Sequence, residues 1–163
     1  MSGTANYGFE RSGFELSVER YIEAPVAIVW RAWTERLVEW WCPKPWTTRI
    51  IEHDLRAGGR AAMVMSGPDG ETEAIEGVFL EVIAGRRVVF TDAFSAGWVP
   101  QTPFMVGFFE FAPKGSGTHY RAGARHWDEA SMQQHAEMGF IDGWTTVANQ
   151  LAEIAEAMAR ARA

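Results

Sequence analysis

Apolar and polar positions alternate along the chain in two different rhythms, and the change of rhythm outlines the fold. Phe14, Leu16, Val18 and Ile22 alternate with Glu15, Ser17, Glu19 and Glu23, which predicts a strand with one wet face. Pro25 then stands at a helix start, and Val26, Trp30, Trp33 and Leu37 fall on one side of a helix that breaks near Thr34 and resumes briefly toward Trp41. Pro43 and Pro45 stop it, because proline disfavours helical geometry in the residue before it. Period-two segments follow at 47–55, 60–66, 73–83 and 87–92, separated by Ala57-Gly58-Gly59, Pro68-Asp69-Gly70 and Ala84-Gly85, and they read as an antiparallel meander. Two more strands are expected at 105–111 and 118–125, flanking Pro113 to Gly117. The rhythm then lengthens. Phe140, Trp144, Val147, Leu151, Ile154 and Met158 recur every three or four residues, the seam of one long helix expected to begin near Asp128 or Ser131.

The order strand, helices, six strands, helix predicts an α+β fold in which a curved antiparallel sheet wraps around the C-terminal helix, with two short helices after the first strand. Residues 1–13 read as a loose lead-in and 14–163 as one domain, with neither an internal repeat nor a linker. The irregular stretch 93–104, with Gly97, Pro100, Pro103 and Trp98, is a candidate lid.

Charge and composition remove several function classes. Fifteen basic residues face 21 acidic ones without a basic run, so nucleic acid is not an expected partner. Neither a signal peptide nor a membrane-length apolar run is present, and a cytoplasmic location is expected. The single cysteine, Cys42, has no recognised catalytic signature around it and reads as structural. His119 and His126 are an odd number of residues apart in one strand-like segment, so alternation sends them to opposite faces; with His53 distant, neither a metal nor a cofactor is expected. Eight Trp and ten Phe exceed the needs of a small core, and aromatic walls suit a pocket for an apolar molecule.

Several short motifs, taken in order, carry a resemblance. Ala24-Pro25 leads to Val29-Trp30-Arg31-Ala32-Trp33-Thr34; Trp40-Trp41, Asp54 to Arg60, Pro68-Asp69-Gly70 and Glu76-Gly77 follow, and then His135 with Gly143-Trp144. Over residues 14 to 158 the sequence resembles the family related to the activator of Hsp90 ATPase, within the START-like superfamily of helix-grip folds. It departs from that pattern at Cys42, where glycine is usual, and at Lys44-Pro45. A separate chaperone-binding domain of the eukaryotic co-chaperone type is not expected in 163 residues.

The resemblance implies an internal pocket for a small hydrophobic or lipid-like molecule and does not by itself imply a reaction. Binding or carriage of such a ligand is the leading expectation, without catalysis. A polyketide cyclase-like or hydrolase-like enzyme and a chaperone-regulating module are the alternatives, and a homodimer is plausible from base rates.

Candidate lining residues follow from the pattern. Trp30 and Trp33 read as core, whereas Trp40 and Trp41, adjacent before a proline stop, cannot both face the same way, and one is expected at the cavity mouth. Met63 and Met65 share a strand face, Met132 and Met138 belong to early turns of the last helix, and methionine suits an adaptable pocket. Phe79, Phe90, Trp98, Phe109, Phe140 and Trp144 supply aromatic walls. Asp92, Arg121 and His135 are the polar residues expected nearest the cavity, as structural pairs or as partners for a ligand's polar head. Gly139 and Gly143, one turn apart, each cost a helix about 1 kcal/mol against alanine, which points to close backbone approach or room for a ligand.

Overall fold

Antiparallel pairing runs unbroken from one edge of the sheet to the other in the computed structural model, which describes residues 13–162. The lead-in expected over residues 1–13 lies, but for Gly13, outside the described residues. β1 (Glu15–Ile22) is followed by α1 (Val26–Glu35) and α2 (Leu37–Trp40), then by the meander β2 (Thr47–His53), β3 (Arg60–Ser66), β4 (Thr72–Ile83) and β5 (Arg87–Thr91). A small hairpin, β6 (Phe94–Ser95) and β7 (Val99–Pro100), precedes β8 (Val106–Lys114) and β9 (Gly117–Arg125). The chain ends in α3 (Glu129–Glu137) and α4 (Phe140–Ala161).

The seven-stranded sheet has the order β1-β9-β8-β5-β4-β3-β2, so β1 and β2, neighbours in sequence, lie at opposite edges. The helices between them cross the open side. α4 packs on β1, α1 and α2, which is the helix-grip architecture that the sequence pattern led us to expect.

Two details differ from the sequence reading. Pro113 to Gly117 is not all loop: Pro113 pairs with Thr118 and Lys114 with Gly117, leaving only Gly115 and Ser116 at the tip, with Gly115 at φ +59°. The terminal helix is also divided. Gly139 takes φ +90°, a left-handed conformation that ends α3 and starts α4. Its glycine is therefore explained by backbone geometry, and α3 is a separate element with His135 as its one buried residue.

The buried seam of α4 also includes Ala148, Ala152 and Ala155, which let the helix lie close to its neighbours, whereas Ile154 and Met158 are only partly buried.

Candidate functional site

Aromatic rings fill one end of the gripped interior and leave the other end hollow. At the filled end Trp33 is the hub. Its ring lies 5.9 Å from Trp30, 5.7 Å from Trp40, 5.1 Å from Phe109 and 6.2 Å from Phe111. Trp40, 1% exposed, donates its indole N–H to the Trp33 carbonyl at 3.1 Å. Tyr120 is fully buried beneath them; burial pushes its phenol well above the ordinary range, with the Trp33 indole the one group acting against it. Neither the Tyr120 hydroxyl nor the Trp33 N–H reaches a partner in hydrogen-bond geometry among the described residues.

Phe109 is the partition. It meets Trp33 edge-on and stacks on its other side with Trp144 at 5.7 Å and Phe90 at 6.0 Å.

Beyond Phe109 lies a cavity of about 440 Å³. Trp41, Cys42, Pro43 and Trp46 close one side, and β3 and β4 contribute Met65 and the run Glu73 to Gly77. Phe90, Thr91 and Asp92 of β5 and its end, with Phe104 and Met105, form a second wall; the α3–α4 junction supplies His135, Met138, Gly139, Phe140 and, one turn on, Gly143, Trp144 and Val147. The volume falls within the range of ordinary small-molecule pockets.

The turn between α2 and β2 is fixed from α4. Gln150 donates through Nε2 to the Trp40 carbonyl at 2.8 Å and the Cys42 carbonyl at 3.1 Å, while its Oε1 accepts from the Lys44 backbone N–H at 3.1 Å. The Trp41–Cys42 and Lys44–Pro45 peptide bonds in this turn are cis. Buried Cys42 accepts a hydrogen bond from Thr48 Oγ1 at 3.5 Å. The Trp41 indole N–H is buried and has no hydrogen-bond partner among the described residues.

Of the residues expected to line the pocket, Trp41, Met65, Phe90, Asp92, His135, Gly139, Phe140 and Trp144 do so. Trp40 turns into the packed end, Met63 packs against the core, and Phe79 sits against His53 at 5.0 Å. Neither Phe109, which stacks on the lining rings of Phe90 and Trp144, nor Met132 of α3 is part of the lining.

Arg121 lies on the opposite, convex face. It pairs with Glu110 at 2.7 Å and Glu15 at 2.9 Å, and with Arg125 it covers the Phe108 ring, 4.7 and 4.4 Å from its centroid. Strand parity decides this: Tyr120 and Ala122 point inward and are buried, so Arg121 between them points out.

Nor does Trp98 cover the cavity. At φ +62° it meets Phe94 edge-on and rests over the turn at Gly58, where a Cβ would come within 3.3 Å of its ring. The base of this 93–104 segment is tied down: Gln101 Nε2 donates to the Glu76 and Asp92 carbonyls, both at 3.0 Å, and Asp92 Oδ1 accepts from the Phe104 and Met105 backbone N–H groups at 2.8 and 3.2 Å. One Asp92 carboxylate oxygen is thereby committed to backbone.

The polar feature missed by the sequence reading is a histidine pair. His126, just past β9, and His135 of α3 are 4% and 8% exposed, and His126 Nε2 lies 2.8 Å from His135 Nδ1. His126 Nδ1 lies 3.0 Å from the Phe14 carbonyl, which also accepts the His126 backbone N–H at 2.9 Å. Rings of Phe104 and Phe140 flank His135 at 5.0 and 4.8 Å. Burial, with the electrostatic influence of the adjacent His126 imidazole second, lowers the His135 pKa from 6.5 to about 4, so the His135 imidazole is neutral at pH 7. No group of three or more potential ligands for a metal ion occurs among the described residues. No helix there is long and apolar enough to cross a membrane.

Comparison with known proteins places the molecule. A family model described as "Activator of Hsp90 ATPase homolog 1-like protein" matches residues 23–156. A crystal structure from Nitrosomonas europaea is 36% identical, with TM-score 0.83 and 91% of this chain and 98% of that one covered. A structure from Mycobacterium smegmatis is 26% identical with TM-score 0.70, covering 89% and 90% of the two chains. An AHSA1-like protein from Aeromonas hydrophila shares the fold at 23% identity and TM-score 0.65, covering 88% and 93%. Among curated proteins, none matches this sequence.

Proposed function

The chain belongs to the Activator of Hsp90 ATPase homolog 1-like family, and from that premise we propose that it binds or carries a small, mainly apolar molecule in the cavity beyond Phe109. The observation that carries this reading is the hollow itself: about 440 Å³ walled by Trp41, Phe90, Phe140 and Trp144, on a fold whose other end is packed solid with rings of the same kind. Apolar surface facing such a space gains by covering with a ligand about as it gains by covering with protein.

A cyclase-like or hydrolase-like enzyme would need titratable groups at liberty to move protons. Here Asp92 holds backbone N–H groups and Glu76 pairs with Arg60 at 3.0 Å, so both have structural work. His135, neutral and weakly basic, is a poor proton acceptor at pH 7. A chaperone-regulating module calls for a broad apolar face, whereas the exposed apolar residues among those described are distributed over Tyr21 on β1, Val38 on α2, Ile50 and Ile51 on β2, Leu80 and Ile83 on β4, Trp98 and Val99 on the hairpin, Trp127 after β9, and Met138 and Ile141 around Gly139.

The test is a titration of the purified protein with an apolar fluorescent probe, alongside native mass spectrometry for co-purifying ligand. Saturable 1:1 binding that is lost in Gly143→Leu, whose side chain would enter the cavity, is the expected result. Binding unaffected by that substitution would place the ligand elsewhere and end the reading.

A further inference from the structure

Hydrogen-bond bookkeeping around the two histidines fixes which nitrogen carries each proton. The Phe14 carbonyl only accepts, so His126 Nδ1 must be the donor across their 3.0 Å contact. When that is its single proton, His126 keeps a lone pair on Nε2, and the 2.8 Å contact there requires His135 Nδ1 to donate. Neutral His135 is left with an unprotonated Nε2, on the side of the ring away from its neighbour and without a hydrogen-bond partner among the described residues. A main-chain carbonyl thus sets, through two rings, an acceptor on a cavity-lining residue.

We propose that this acceptor selects a ligand with an uncharged hydrogen-bond donor, such as an aromatic or alicyclic alcohol, over ethers and carboxylates of the same skeleton. The proposal rests on the cavity being the binding site. The charge of the lining agrees: among the described residues no lysine or arginine lines the cavity, whereas Glu73 and Asp92 do, so a carboxylate or phosphate head would meet like charge and a lone pair. A hydroxyl group donates without carrying charge, and suits a cavity whose lining holds an uncharged acceptor. A weakly basic His135 would hold such a hydroxyl without removing its proton.

Isothermal titration at neutral pH with 2-naphthol, 2-methoxynaphthalene and 2-naphthoate, together with nitrogen-15 NMR of the imidazoles, tests this. The alcohol should bind about tenfold more tightly than the ether, and the carboxylate more weakly than either; His135→Phe should bring alcohol and ether to within about twofold. The NMR spectrum of the unaltered protein should show both histidines protonated at Nδ1 only, a readout that needs no variant to fold. A proton on His135 Nε2, or equal affinity for alcohol and ether, overturns the proposal while leaving cavity binding intact. Failure of all three probes to bind removes the binding reading and the proposal with it.

Discussion

The two ends of the grip are built from the same residue types and differ in what separates the walls. At the filled end Trp33 and Trp40 enter the space between α1 and the sheet, and Phe109, Phe111 and Tyr120 rise from β8 and β9 to meet them. At the hollow end Gly143 on α4 adds no side chain, and Trp41 leans on Trp144 instead of filling the middle. Apolar wall is therefore compatible with either a core or a chamber. Which one results depends on side-chain reach, and Phe90 and Trp144, both stacked on Phe109, stand where packed rings give way to cavity wall.

The sharpest way to break this contrast is to remove one ring from each end. Trp33→Ala should cost roughly 3–5 kcal/mol in denaturant unfolding, because its neighbours are too interlocked to close the gap. Trp41→Ala, half-buried beside existing space, should cost only about 1–2 kcal/mol. Equal losses would mean that the cavity end is as tightly packed as the core.

Acid should weaken the hollow end. His135 ordinarily titrates near 6.5 but is held to about 4 in the fold, so between those values the unfolded chain takes up a proton that the folded chain rejects. Stability should be insensitive to His135 above pH 6.5 and fall progressively as pH drops toward 4. Half-buried His53, whose pKa is also lowered by desolvation, acts in the same sense. Thermal melts across this window, compared with those of His135→Phe, should show a flatter profile in the variant.

A smaller effect is expected at the hinge between the two ends. Gln150→Ala removes the three hydrogen bonds that fix residues 40–44. It should lower stability by roughly 1–2 kcal/mol and weaken probe binding as well, whereas a purely structural glutamine would change only the melt. Smallest of all, Gly143→Ala should stabilise the protein by up to about 1 kcal/mol, since the added Cβ lies 3.8 Å from Pro43 Cγ in ordinary contact. Probe affinity should fall in the same variant, and a gain in both would show that this turn of α4 does not face bound ligand.

Periodicity made most of the elements readable. β3 runs from Arg60 to Ser66 as its alternation indicates, and the meander from β2 to β5 follows from three turn signals. The division of the terminal helix was less legible because Gly139 has two meanings, a tolerated helical glycine or a left-handed break, and only φ +90° distinguishes them. The close approach of α4 through Ala148, Ala152 and Ala155 was hidden for a related reason: alanine adds little to an apolar stripe yet sets how near two helices come.

Histidine chemistry shows the same limit. Alternation separates His119, half-exposed near Glu19, from buried His126, but pairing His126 with a residue on another element is a long-range event with no local signature. Arg121 was misassigned as near the cavity because a charged residue within an apolar strand can serve either face until the sheet's inside is known.

By itself the sequence determined the order of strands and helices, the grip, and the wealth of aromatic side chains, because those depend on period, turn chemistry and composition within short windows. Only the tertiary structure decided where the rings meet and where they leave a space, and which histidine nitrogen is free, because both depend on distances between residues far apart in the chain.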